Sequence, residues 1–321
     1  MRFGVLLPHC GAHCSRERII EGSQLIERLG YDTIWVRDHL IFRPHGMEGT
    51  DPTFVDAFLT LAAIAGATKT IALGTAVIIP IRWPLKVAQN FASLSYLANR
   101  RIEVGFGLGA NPAEFAAAGF DVENREKIFI ETIRICERVW KENDVSWDGE
   151  MFQFEHVTLE PKPVGPMPTW YGGSTRASCR RAAAHTDGWL PGRVPLATLD
   201  NRLELLGQLA AERGRPIAAG TLPLWCVDED REKARAVIDV DAIAHSSEGA
   251  KNWIMPPSGE FRTIEDLEGI LICGDPDDCV REIEKFKARG LTDLVVDLRL
   301  QFDDWEEKLE LIADKVLPRV R

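Results

Sequence analysis

Three short stretches carry side chains able to move protons or hold an anion. In "RDHL", Asp38 and His39 stand side by side. Imidazole titrates near neutral pH and a carboxylate can orient it or a neighbour, so the pair reads as a general acid/base. In "YGGST", Gly172 and Gly173 precede the hydroxyls Ser174 and Thr175 at the start of a helical pattern. Glycines let a ligand approach the main chain, and the free amides of a helix start favour an anion; this reads as a phosphate cradle. In "GFGLGANPAE", Gly107 and Gly109 lead to Glu114. The third glycine of a dinucleotide fingerprint is missing. Bare main chain there suits a flat ring, and Glu114 reads either as a proton donor or as a helix cap.

A fourth stretch, "LPHCGAHC", places His9, Cys10, His13 and Cys14 within six positions. These are metal-ligand types, but zinc sites normally separate two ligand pairs by a longer loop. No metal is assigned. The stretch is taken as the loop leaving a first strand, with His9 and Cys10 facing a substrate pocket.

These residues need a scaffold that brings them together. Strand-like runs at 2–7, 32–37, 70–78, 101–106, 168–171, 187–190, 219–226 and 292–297 are each followed by a helical pattern. Strands alternating with helices pair in parallel through right-handed crossovers. Eight such units predict a (β/α)8 TIM barrel, one α/β domain over residues 1–321, rather than an open dinucleotide-binding sheet. Two insertions, about 142–167 and 245–270, follow strands four and seven; the first contains a hairpin turning at Asp148-Gly149. The second, with an exposed-looking Trp253 and apolar Ile254, Met255 and Phe261, is a candidate active-site lid and hints at an apolar substrate. A barrel works at the C-terminal mouth of its strands, which adds Thr75, Ala76 and Val77 from strand three and Trp189 from strand six.

Composition narrows the classes. A chain of 321 residues with 45% hydrophobic content suits a barrel, and a net charge of −11 argues against a nucleic-acid partner. No run of eighteen apolar residues predicts a membrane span. Seven cysteines without a C-x-x-C pair point to a reduced, cytoplasmic protein. A metal-dependent barrel hydrolase needs ligands on several strand ends, and the later ones ("GGST", "WLPG", "CVDED", "DLRL") supply no histidine.

"GYDTIWVRDH" (30–39), "IALGTAVIIP" (71–80), "RRIEVGFGLGANPAEFAAAGF" (100–120), "WDGEMFQFEHVTLEPKPVGPMPTWYGGST" (147–175) and "RRAAAHTDGWLP" (180–191), in that order, resemble the bacterial luciferase-like superfamily. The coenzyme F420-dependent branch is the nearest in pattern. The resemblance implies an oxidoreductase transferring hydride to or from a small organic substrate. His39 would lie beside the ring's reactive edge, preceded by Asp38 as in F420 enzymes. A cis peptide would fall within Gly74 to Val77, at Ala76–Val77. Gly107 and Gly109 would lie near the ring and tail, Gly172 to Thr175 would bind phosphate, and Glu114 would match the acid of F420-dependent sugar-phosphate dehydrogenases. The tryptophan that follows the histidine in those enzymes is absent from "HLIFRP", so no sugar phosphate is assigned. The alternatives are an FMN-dependent monooxygenase using reduced flavin and dioxygen, and a non-catalytic flavin-binding protein. The resemblance also implies a homodimer.

Overall fold

The computed structural model describes residues 1–44, 46–245 and 248–321. Eight parallel strands close a barrel: β1 (Arg2–Leu6), β2 (Thr33–Val36), β3 (Ala72–Thr75), β4 (Ile102–Phe106), β5 (Thr169–Tyr171), β6 (Gly188–Trp189), β7 (Ala218–Thr221) and β8 (Asp293–Val296). The ring closes where Arg2–Val5 pairs with Asp293–Val296. Helices cross between consecutive strands, as the alternation requires.

Two tryptophans fill the barrel's interior. Trp35 of β2 lies over Gly4 and Gly74, where an added Cβ would stand 2.4 and 2.6 Å from its ring. Trp170 of β5 lies as closely over Gly188 and meets Trp35 edge to face, 6.3 Å between centroids. Small residues on neighbouring strands thus make room for large ones, which packs the barrel solid. Trp170 Nε1 donates to the Glu103 carboxylate at 2.7 Å. Glu103 is fully buried and also accepts from Arg2 and Arg101, so its charge is paired.

Two sequence expectations need correction. The run 219–226 is not one strand: Pro223 cannot donate to a ladder, and beyond it Leu224–Val227 pairs in parallel with Leu271–Gly274 in a separate two-stranded sheet. The excursion between β7 and β8 is therefore larger than 245–270; residues 246 and 247 of that expected insertion lie outside the described residues. The hairpin in the first insertion turns at 149–152, because Asp148 pairs with Gln153 and Gly149 N–H donates to Phe152 O at 3.0 Å. Glu131 holds this turn by accepting from Trp147 Nε1 and the amides of Met151 and Phe152, each at 3.1 Å. Among the described residues, no helix is long and apolar enough to cross a membrane.

Candidate active site

His39 leaves β2 at the barrel mouth, and Glu114 reaches it from the short helix Pro112–Ala117 after β4. Asn111 caps that helix, its side chain accepting from Ala113 N–H at 3.1 Å. Glu114 therefore lies in the first turn, where the helix dipole favours a carboxylate. Both carboxylate oxygens stand 3.3 Å from His39 Nδ1. One of them also accepts from the amides of Leu40 (2.7 Å) and Ile41 (3.3 Å). Burial pushes the Glu114 carboxyl up, but the hydrogen bond and charge of His39 and the two amides outweigh it and hold the group below the usual carboxylate range. Glu114 is thus an ionised acceptor, His39 Nδ1 carries the shared proton, and Nε2 is left for chemistry. Phe54 packs edge-on to the His39 ring at 5.5 Å, and Phe42 lies 5.7 Å away.

Asp38 does not share this network. Its oxygens accept from Arg82 at 2.6 and 2.7 Å and from Ile79 N–H at 3.1 Å. It ties the end of β2 to the loop after β3, and the carboxylate within reach of the His39 ring is that of Glu114, not that of Asp38. That loop begins with Thr75, whose hydroxyl exchanges hydrogen bonds with Gly105 O and N, each at 2.9 Å. The Ala76–Val77 peptide that follows is cis. Val77 then nests against two of the expected glycines. An added Cβ would come 2.5 Å from it at Gly107 and 3.0 Å at Gly172. These glycines accommodate the protein's own side chain as well as leaving the floor of the mouth bare. Gly109 holds φ +69, and its Cβ would strike Ile79 and Phe115.

Gly172, Gly173, Ser174 and Thr175 lead from β5 into the helix Arg176–His185, which Thr175 caps by accepting from Ser178 N–H at 3.1 Å. Among the described residues, no protein acceptor takes the amides of 173–177, and the loop is largely open to solvent. That donor set suits a phosphate. Trp189, expected in the substrate pocket, is fully buried and donates to Gly173 O at 2.8 Å, supporting the loop from beneath. Arg202 braces it from the side, donating to Ser174 O and to Asn252 O, both at 3.1 Å. Trp253 is not exposed as its sequence surroundings suggested: it is 7% accessible and packs on Phe261. The segment around it lies along the helix Leu196–Arg213, where Ile254 N–H donates to Thr198 at 2.7 Å.

His9 is likewise fully buried and presents no face to a pocket. Its Nδ1–H donates to Val55 O at 3.0 Å, and its Nε2 accepts from Arg37 N–H at 2.9 Å. Burial above all holds this ring at about 4, so it is neutral. It is a brace between β1, β2 and the segment around Phe54. Cys10 does line a cavity, with Arg37 Nη2 at 3.1 Å from its sulfur. Sequence reasoning passed over two arginines that line this cavity, Arg37 and Arg299. The available signal was "VRDH" and "DLRL", an arginine one or two positions from an aspartate at a strand end. Among the described residues, no group of three His, Cys, Asp or Glu is placed to hold a metal ion.

The family model of the luciferase-like monooxygenases matches residues 1–293. An F420-dependent hydroxymycolic acid dehydrogenase of Mycobacterium tuberculosis is 31% identical over 325 residues, covering 91% of this chain and 88% of the relative. An F420-dependent glucose-6-phosphate dehydrogenase of Amycolatopsis mediterranei is 25% identical over 319 residues, 94% of each. The solved structure of an F420-dependent secondary alcohol dehydrogenase with an F420-acetone adduct superposes with a TM-score of 0.81 at 21% identity, covering 100% of this chain and 99% of that one.

Proposed function

This chain belongs to the luciferase-like monooxygenase family, and from that premise we propose that it is an F420-dependent oxidoreductase acting on a small organic substrate. The observation that carries this reading is the His39–Glu114 pair at the barrel mouth, beside a floor of bare main chain. The F420-dependent relatives, matched along nine tenths of the chain, support it. Bound there, the deazaflavin supplies a ring carbon that accepts or gives up a hydride. Thr75, Ala76, Val77, Gly107 and Gly109 would carry the ring, and the loop from Gly172 to Thr175 the anionic tail, through the amides of Gly173, Ser174 and Thr175; the Gly172 amide itself donates to Phe106 O.

The chain's own share is proton handling and exclusion of water. With Nδ1–H held on ionised Glu114, His39 Nε2 takes the hydroxyl proton of an alcohol as hydride leaves its carbon, and returns it in the reverse direction. Glu114 stabilises the imidazolium that forms. Phe42 and Phe54 shield the ring, and Asp38 with Arg82 fixes the backbone that presents it. The family's description also supports a second reading, an FMN-dependent monooxygenase with the same histidine.

A panel of primary and secondary alcohols is screened for bleaching of oxidised F420. At least one should bleach it, with His39→Ala slowing the reaction ~10²–10⁴-fold while still quenching F420 fluorescence. An undiminished rate in that variant contradicts the role of His39. Oxygen uptake with reduced FMN and no reaction with F420 favours the second reading.

The chain is further read as a cytoplasmic homodimer of one barrel domain, residues 1–321. The seven free cysteines support the compartment. An apolar outer face supports the assembly: Leu59, Tyr96 and Leu97 are 70%, 58% and 71% exposed on two adjacent helices, Ala57–Ala67 and Pro84–Ala98.

A further inference from the structure

The inward face of the helix Leu196–Arg213 carries Leu199, Arg202, Leu205 and Leu206. Helical spacing calls for an apolar side chain at 202, yet the residue is an arginine, 6% accessible. A guanidinium keeps its charge in a protein, and burying that charge is costly unless a partner answers it. Here the partners are three neutral oxygens. Nε donates to Ser174 O and Nη2 to Asn252 O, both at 3.1 Å, and Nη1 donates to the Asn201 amide oxygen at 2.6 Å. None is a carboxylate. Asp200 and Glu126 are engaged elsewhere, with Arg289 and Arg181. Cys179 is a neutral thiol, pushed up to about 11 by burial above all. Arg176 shares the Asn201 oxygen at 2.8 Å and adds charge of the same sign at the surface.

The directions of these bonds fix what the loop after β5 presents. Trp189 Nε1 donates to Gly173 O at 2.8 Å, and Arg202 Nε donates to Ser174 O. The peptide units 173–174 and 174–175 are therefore both held by their carbonyls from the protein side. A trans peptide points its N–H opposite to its C=O, and both of these peptides are trans. The amides of Ser174 and Thr175 are thereby turned away from Trp189 and Arg202. Among the described residues, no protein acceptor takes either of them. A cation donating to a carbonyl also polarises the peptide unit, which makes the Thr175 N–H a stronger donor. Guanidinium, peptide and open N–H form a chain of hydrogen bonds that an anion would complete.

We propose that Arg202 is the positioning residue that makes this loop select for the anionic tail of the cofactor. It fixes and polarises the Ser174–Thr175 peptide, and the bound phosphate supplies the negative charge that its guanidinium lacks. Its bond to Asn252 O extends the same hold to the segment around Trp253. One buried side chain thus ties the tail loop to the excursion between β7 and β8. This rests on the reading of residues 173–175 as the tail site.

The test compares quenching titrations of the full-length protein with F420 and with its tailless form, which keeps the deazaflavin ring and ribityl chain but carries no phosphate. In the wild type the tailed form should bind more tightly. Arg202→Gln should cut that preference ~10–100-fold by weakening F420 alone. Unchanged binding of the tailless form shows that the variant is folded. Arg202→Lys, which restores the charge, should recover most of the preference, and Arg202→Met stands in if the glutamine variant does not fold. A preference unmoved in Arg202→Gln, an equal loss for both forms, or no recovery in Arg202→Lys overturns the proposal. FMN and riboflavin, which differ by a phosphate, are titrated alongside. Loss of the preference for FMN over riboflavin, in a protein that ignores F420, keeps the role of Arg202 and rejects the F420 reading. F420 binding with a preference unmoved by Arg202→Gln does the reverse. Wild-type protein that binds none of the four rejects both.

Discussion

His39 keeps one ring nitrogen on a buried, ionised carboxylate, which orients the ring and fixes which nitrogen is basic. Glu114→Gln should lower kcat by about 10–100-fold with a smaller change in KM, as expected for lost orientation of a base rather than lost binding. The Leu40 and Ile41 amides lose a charged acceptor, so urea unfolding should show a loss of about 1–3 kcal/mol. Unchanged kcat would remove Glu114 from the proton path. His9 makes a separate prediction. Its ring is at about 4 in the fold, against an ordinary value near 6.5 when unfolded. Below pH ~6.5 the unfolded chain takes up a proton that the fold refuses, so stability falls from pH ~6.5 toward 4. His9→Gln should flatten that slope in urea midpoints measured across pH. It should not abolish it, because burial, with Arg134 and Arg213, lowers His185 in the same direction. The roles of these side chains were partly legible in the sequence. His39 and Glu114 could be named because each follows a strand end. That Glu114 and not Asp38 faces His39 could not, since it depends on Arg82, 44 positions from Asp38. His9 and Trp189 could not be told from pocket residues, because a strand end does not say which side chain turns inward.

At the scale of elements, the floor of the mouth is a packing arrangement between the loop after β3 and the ends of β4 and β5. Gly107→Ala places a methyl 2.5 Å from Val77 Cγ2. Overpacking of this kind costs about 1–3 kcal/mol and should weaken cofactor binding. Val77→Ala in the same chain should restore stability, read as the melting midpoint of the double variant against each single one. If the double variant is no more stable than Gly107→Ala, Val77 is not what the glycine accommodates. Most strands were readable from short β-branched runs bounded by glycine or proline. The strand at 219–226 was misread because its two halves are equally apolar, and only Pro223 marks the point where the second half leaves the barrel. Trp253 looked exposed among glycines and prolines, yet its burial comes from Phe261 and the helix Leu196–Arg213, contacts that local sequence does not encode.

At the scale of the whole molecule, eight short strands bring the His39–Glu114 pair from β2 and β4, the open amides after β5, and Arg37 and Arg299 from the ends of β2 and β8 to one mouth. Light scattering should give twice the 35.9 kDa chain mass, and Leu59→Glu with Leu97→Glu should return one chain mass; a wild-type monomer contradicts the dimer. The central claim is that the mouth holds a deazaflavin. Fluorescence titration of the purified protein with F420 and with FMN tests it most directly. Saturable quenching of F420 at micromolar concentrations, with FMN at least a hundredfold weaker, is the predicted result. Micromolar FMN binding with no response to F420 would contradict it.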